Sequence, residues 1–369
     1  MPSTGYDTFR DTPDPEPVDQ LSAQGAEAAQ AQVQPETSQM PARLRRDRRE
    51  GRKGTQGKKK MSRRKKIIII AASVVAVLLV AAGAYAYYFV YKANRNMQIT
   101  DPKLNDVLQP ADETKPYYVL VVGSDTRVVG QNARSDTIML CRLDPQNKRV
   151  SILSIPRDTK VEIPGHGTQK INAAMAYGGP SGAVTAVSTF AGVPISHYVE
   201  LDFTGFTDIV NSLGGVTINV PAPASYQGVS IRAGSQKLDG AHALVFVRAR
   251  KSYALGDFQR AANQRTFLKA VAKQVLQAPP TQIPGLLQSA SKCVGSDMSS
   301  TQMVSLAMVF RGMNADTDIY SGQVPSKTAR IGKVSYVLTV QDQWADVRTK
   351  FTTGVVPFVT KENQPAVKE

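Results

Sequence analysis

The chain has 369 residues, 42% of them hydrophobic, and a formal net charge of +15. That length holds one large domain or two small ones with real cores. Two cysteines without a CxxC pair, and three scattered histidines, argue against a zinc site.

The charge falls into three zones, which points to three environments rather than one basic surface. Residues 1–42 carry seven acids and one arginine, are rich in Pro, Gln and Ala, and show no sustained hydrophobic period, as in disordered segments. Residues 43–66 reverse the sign, with fourteen Lys or Arg against two acids. From Ile67 to Val90 no charged residue occurs. At about 1.5 Å per residue that stretch reaches roughly 36 Å as a helix, enough to cross a bilayer. Tyr85, Tyr87 and Tyr88 sit where aromatic rings favour the far interface.

The stretch starts too deep in the chain, and runs too long, for a cleavable signal peptide. Its basic flank is N-terminal, so the positive-inside rule predicts a single-pass protein in the cell membrane. Residues 1–66 would form a disordered cytoplasmic tail, 67–90 the transmembrane helix, and everything beyond would be extracellular. Contact with anionic lipid accounts for the basic run. A DNA-binding arm would bring aromatic interleaving and a folded reader, and neither is present, so nucleic acid is not an expected partner.

A linker over residues 91–114 contains Pro102 and Pro110, and Pro116 lies just beyond it. A globular domain is predicted over 115–356, with a loose tail over 357–369. Tyr117–Val122 is an apolar, β-branched run ending at Gly123, a buried strand feeding a loop. Thr137–Leu143 and Val150–Ile155 read as the next strands, with a turn over Asp144–Lys148 between them. Helices are predicted over Ile171–Tyr177, Gly182–Phe190, Phe203–Leu213 and Arg260–Leu276, and strands over Gly215–Val220 and Ala243–Arg248. Two helices after Pro280 and strands over Ile319–Val324 and Val334–Val340 complete the pattern. The fold class is therefore α/β, a mixed β-sheet flanked by helices on both faces and preceded by one transmembrane helix.

The ectodomain has no G-x-S-x-G, H-E-x-x-H or P-loop. Instead Asp and Arg gather where apolar strands stop: Gly123-Ser124-Asp125-Thr126-Arg127, Arg134-Ser135-Asp136-Thr137, Ile155-Pro156-Arg157-Asp158-Thr159 and Arg248-Ala249-Arg250, with Asp257 and Arg260 soon after. Strand ends in such sheets converge on one crevice. Carboxylates suit Mg²⁺, and guanidinium forks grip phosphate oxygens in pairs while keeping their charge. Together they suit a diphosphate and the charge that develops on its leaving group. The alternative is a set of surface ion pairs between strand ends.

These segments occur in order with Met139-Leu140, Ser154, Lys170-Ile171-Asn172-Ala173-Ala174, Tyr177-Gly178-Gly179-Pro180, His197-Tyr198-Val199, Leu213-Gly214-Gly215-Val216 and Leu238-Asp239-Gly240. The set resembles the LytR-CpsA-Psr family of cell-wall glycopolymer transferases, most closely over residues 115–275. The resemblance implies a hydrophobic groove for a polyprenyl tail. It implies transfer of an anionic glycopolymer from a polyprenyl diphosphate carrier to a hydroxyl of peptidoglycan. It assigns Mg²⁺ or Mn²⁺ to Asp125 and Asp136, and a catalytic role to these two and Arg157. It places diphosphate contacts on Arg127, Arg134, Arg157, Arg248, Arg250 and Arg260. Lys170, Asn172 and Gln264 are expected as further diphosphate contacts, with capping of local structure the alternative for Lys170 and Asn172. Gln259 and Asn263 depart from the family pattern, which has Gly and Arg there. A surface protein as acceptor, and a non-enzymatic glycopolymer-binding module, are the competing readings. The second is disfavoured because carboxylates repel a polyanion.

Gly178-Gly179-Pro180 reads as a turn, and His197 as a packed residue before a strand. Ala183–Phe190, Phe206–Leu213 and Phe267–Val275 suit either a lipid groove or amphipathic core helices. Cys141 and Cys293 both fall in the extracellular part, where oxidation is permitted, and are expected to form a disulfide.

Overall fold

A computed structural model of the protein describes residues 62–124, 135–202, 205–250, 252–253, 256–279 and 282–359. The acidic tail and most of the basic run lie outside the described residues, as do Asp125, Arg127 and Arg134.

The described residues begin with helices α1 (Arg63–Met97) and α2 (Leu104–Val107), then strands β1 (Tyr117–Ser124), β2 (Ser135–Asp144), β3 (Arg149–Ser154), β4 (Lys160–Ile163) and β5 (Gly167–Lys170). Next come α3 (Ala173–Ala191), β6 (His197–Asp202), α4 (Phe206–Ser212), β7 (Val216–Val220), β8 (Ala224–Tyr226), β9 (Val229–Ile231) and β10 (Gly234–Leu238). They are followed by α5 (Gly240–Arg248), α6 (Asp257–Gln277), α7 (Ile283–Ala290), β11 (Val294–Ser296), α8 (Ser300–Val309) and α9 (Ala315–Asp318). Strands β12 (Ile319–Gln323), β13 (Ser326–Ile331) and β14 (Val334–Thr339) precede the last helix, α10 (Gln341–Thr353).

Helix α1 is one continuous element of 35 residues. Its apolar part is bare, with Ile67, Leu79 and Val80 between 65% and 72% exposed. A bare apolar helix of that length suits a bilayer. Its last turns enter the domain instead. Ala93 and Met97 are buried, and Asn94 Oδ1 accepts from the Ser300 backbone N–H at 2.6 Å and its hydroxyl at 3.0 Å. The first residues of the predicted linker therefore belong to this helix.

The main sheet has the order β11-β6-β1-β2-β3-β12. β1 runs parallel to β6, and β3 to β12, while β2 is antiparallel to both β1 and β3. Alternate side chains feed two cores, as period-two geometry requires. Leu120, Val122, Ile138, Leu140 and Leu153 face α3 and α10, where Val184, Val187, Trp344 and Phe351 close the first core. Tyr117, Val119, Met139, Cys141 and Ile152 face the other way, onto Leu268, Ala272 and Leu276 of α6. Phe267, Val271 and Val275 of the same helix face a second lobe, built from α4, α5 and β7 to β9. Thus α6 is the wedge between the sheet and that lobe. The stretches Ala183–Phe190 and Phe206–Leu213 contribute to the cores.

Three expectations are corrected. Ala243–Arg248 is helical rather than a strand. Asp239 caps it through a 3.0 Å bond from the His242 N–H, and Ala243, Phe246 and Val247 bury one face at the spacing i, i+3, i+4. Tertiary burial overrides the strand preference of Leu-Val-Phe-Val. The two predicted helices around Gly178-Gly179-Pro180 are one helix, α3, kinked at Gly179 with φ 60° and ψ −153°. An L side chain rarely adopts that backbone, and Pro180 lacks the N–H that a straight helix would use.

Cys141 and Cys293 are free and buried rather than disulfide-bonded. Cys141 lies on β2 and Cys293 immediately precedes β11, so β1 and β6 intervene. Three strand spacings alone keep them at least roughly 14 Å apart, against the limit of about 7 Å between Cα atoms for a bridge.

Candidate active site

Strands β1, β3, β6 and β12 point the same way, and β2 starts at their C-terminal edge. That edge gathers the polar residues. Asp136 is the second residue of β2, and Arg157 and Asp158 follow β3 across Ile155-Pro156. Gln323 ends β12, and Asp202 ends β6 opposite Ser124. The N-terminus of α6 brings Asp257, Arg260 and Gln264 against them. Asp136, Arg157, Asp257, Arg260, Gln264 and Gln323 line one cavity of about 90 Å³. The β13–β14 hairpin closes one side, pinned by a 2.9 Å bond from the Val337 N–H to the Asp158 carbonyl.

The cavity is organised by ion pairs. Asp257 Oδ1 lies 2.9 Å from Arg250 Nε and 2.9 Å from Arg260 Nη2, and its Oδ2 lies 3.7 Å from Arg157 Nε. Arg157 also donates through Nη1 to Asp136. Three guanidinium groups thus share two carboxylates. Burial lowers the Arg260 pKa, with Asp257 opposing it and Arg157 and Arg250 adding to it. At Arg157 burial acts downward too, but Asp257 and Asp136 outweigh it and raise the pKa. Both stay charged at any working pH. A phosphate can exchange with Asp257 for these donors, because guanidinium forks bind either oxyanion in the same geometry.

Lys170 pairs with Asp158 at 3.1 Å beside the cavity. Asn172 is buried and its backbone N–H donates to the Arg157 carbonyl at 3.1 Å, so it fixes the Arg157 loop. Arg248 turns toward the second lobe, with Nη1 2.8 Å from the Tyr226 hydroxyl and its guanidinium 5.6 Å from that ring's centroid. The unusual Gln259 and Asn263 are buried. Gln259 donates to Asn263 at 3.1 Å. Asn263 donates in turn to the Phe246 carbonyl at 3.1 Å, and Gln264 to that of Val247 at 3.4 Å. These are last-turn carbonyls of α5, orphaned where a helix ends. The departures from the family pattern therefore fasten α6 to the helix end from which Arg250 emerges.

Sequence reasoning reached most of this set but not the hub role of Asp257, nor Gln323. Among the described residues no cluster of three or more His, Cys, Asp or Glu is disposed to hold a metal. Asp136 offers one hard oxygen donor group at the cavity. Asp125, the second expected metal carboxylate, follows β1 outside the described residues.

A family model, the LytR_cpsA_psr family, matches residues 84–353. The polyisoprenyl-teichoic acid–peptidoglycan teichoic acid transferase TagU of Halalkalibacterium halodurans is 34% identical over 246 residues, covering 66% of this chain and 80% of that protein. The Bacillus subtilis transferase TagV, with the corresponding name, is 34% identical over 213 residues, 54% of each chain. Its crystal structure matches at a TM-score of 0.60 and 29% identity, covering 66% of this chain and 98% of that one. A structure of TagT bound to LI-WTA matches at a TM-score of 0.57 and 26% identity, covering 68% of this chain and 94% of that one.

Proposed function

This chain belongs to the LytR-CpsA-Psr family, and from that premise we propose that it is a cell-wall ligase. In this reading it moves an anionic glycopolymer from a polyprenyl diphosphate carrier to a hydroxyl of peptidoglycan at the outer face of the membrane. The observation that carries the reading is the convergence of Arg157, Arg250 and Arg260 on Asp257 at the edge of the sheet.

The acceptor oxygen attacks the glycan-bearing phosphorus, and its proton passes to an oxygen of the leaving phosphate. The bond from that phosphorus to the bridging oxygen breaks, and polyprenyl phosphate leaves with the electron pair. Arg157, Arg250 and Arg260 hold the diphosphate and neutralise the charge that grows on the leaving phosphate. Asn172 holds Arg157 in place through its carbonyl, and Gln264 holds α6 against α5. Asp136 and Asp125 would hold a Mg²⁺ ion, which would screen the phosphate charge further.

Helix α1 is the single membrane span, with the basic segment on the cytoplasmic side and the domain outside. Its docking through Asn94 and Met97 supports an active site held close to the carrier's headgroup. Mass spectrometry of lipid co-purified with the full chain tests the proposal. A polyprenyl diphosphate glycan is the expected ligand, retained by the parent and lost from Arg157→Ala. Recovery of phospholipid alone from both would reject it.

A further inference from the structure

The cavity holds two polar groups that the ion-pair network leaves unused. Gln323, at the end of β12, is 1% exposed and lines the cavity. Its Oε1 accepts from Arg265 Nη1 at 3.5 Å, while its Nε2 is buried without a hydrogen-bond partner among the described residues. The same holds for the Thr137 hydroxyl in the same cavity. Buried polar atoms are almost always paired, so an orphan that faces a cavity asks for an explanation.

We infer that Gln323 is a binding residue of this site, a neutral donor to a phosphoryl oxygen, and that Arg265 positions it. The amide orientation follows from donor counting. A guanidinium has no acceptor, so the Gln323 atom facing Arg265 must be the carbonyl oxygen, and the NH₂ group must face away from it. Arg265 is itself buried, and among the described residues it has no carboxylate partner. Burial pushes its pKa down to about 10, so it stays charged at neutral pH. A buried cation behind the amide polarises it, and makes its N–H a stronger donor toward an anion. Thr137, on β2 and separated from β12 by β3, supplies a second neutral group to the same cavity. Such donors add directional bonds to an oxyanion without the mutual repulsion of another guanidinium.

The inference rests on the diphosphate reading of the cavity, and one titration separates the two. Inorganic pyrophosphate is titrated into the full chain in detergent micelles, for the parent, Arg157→Ala, Gln323→Glu and Gln323→Met, each with its melting temperature. Gln323→Glu keeps the shape and gives Arg265 a carboxylate, so its melting temperature should equal or exceed the parent's. It removes the donor and places a negative charge against the ligand, so pyrophosphate binding should weaken by about tenfold or more. Gln323→Met removes the donor without adding charge, and decides the matter should Gln323→Glu fail to fold. A loss under about threefold in the folded variants, with binding abolished in Arg157→Ala, overturns the role of Gln323 alone. No binding by the parent overturns the diphosphate reading, and this inference with it.

Discussion

Asp257 Oδ1 lies 2.9 Å from Arg250 Nε, although the two residues come from different segments on either side of a loop. The contact ties the exit of α5 to the first turn of α6, and Arg260 shares the same oxygen. Asp257→Asn therefore leaves Arg157, Arg250 and Arg260 facing one another with Asp136 and Asp158 as the remaining cavity carboxylates. Because the carboxylate is about one-third exposed, the expected destabilisation is modest, about 1–2 kcal/mol at low salt. Urea melts at low and high ionic strength measure it. The deficit should shrink with salt, since ions screen the exposed repulsion.

Arg157→Lys and Arg250→Lys keep the charge and lose the fork. Each should weaken binding of the donor lipid by about tenfold, with the melting temperature little changed. Titration against the purified carrier lipid provides the check. Parent-like affinity in both variants would assign these residues a structural role.

The metal assignment predicts that transfer stops in chelator and returns with Mg²⁺ or Mn²⁺. Asp136→Ala should be inactive while remaining folded, its circular dichroism spectrum matching the parent's. Full activity in chelator would remove the two-carboxylate site.

His197 bridges two acids away from the cavity. Its Nδ1 is 2.7 Å from Asp297 and its Nε2 is 3.5 Å from Glu113. Burial favours the neutral ring, but Asp297 and Glu113 outweigh it, so the pKa is raised. A raised folded-state pKa adds stability that is fully present below the unfolded value of about 6.5 and is lost as pH rises through the folded one. Asp297→Asn should thus cost about 1–2 kcal/mol at pH 6 and less at pH 8. Denaturation of parent and variant at the two pH values measures the difference, and an equal cost at both would mean that the ring does not change its charge between them.

The thiols offer a test of the fold. Burial pushes Cys141 and Cys293 up to about 12, so neither should react with a thiol reagent in the native protein. Two thiols should appear on denaturation without reductant.

Much of this architecture was legible because strands buried on both faces announce themselves as apolar runs. Tyr117–Val122 and Thr137–Leu143 fall within β1 and β2, and Val150–Ile155 covers β3 but for its first residue and runs one residue past its end. Strand β6 was harder to see, since its inward positions carry Tyr198, Glu200 and Asp202, and polar residues facing a core hide the alternation. Helix α10 buries Trp344, Val347 and Phe351 at helical spacing, but charged neighbours obscure that period in the sequence. The clustering of Asp and Arg at strand ends pointed to the site. The convergence on Asp257, and the pairing of Arg265 with Gln323, depend on how α6 wedges against the sheet, which no local pattern records. Two cysteines in a part of the chain expected outside the membrane suggest a bridge, but only the strand order shows that two strands separate them.

The central claim is phosphoryl transfer at the arginine cluster, and its products test it most directly. The full chain, reconstituted with a polyprenyl diphosphate glycan and peptidoglycan, should release polyprenyl phosphate in step with glycan linked covalently to the wall polymer, and Arg157→Ala should do neither. Donor lipid bound by the parent but recovered intact, with no glycan on the peptidoglycan, would contradict the account.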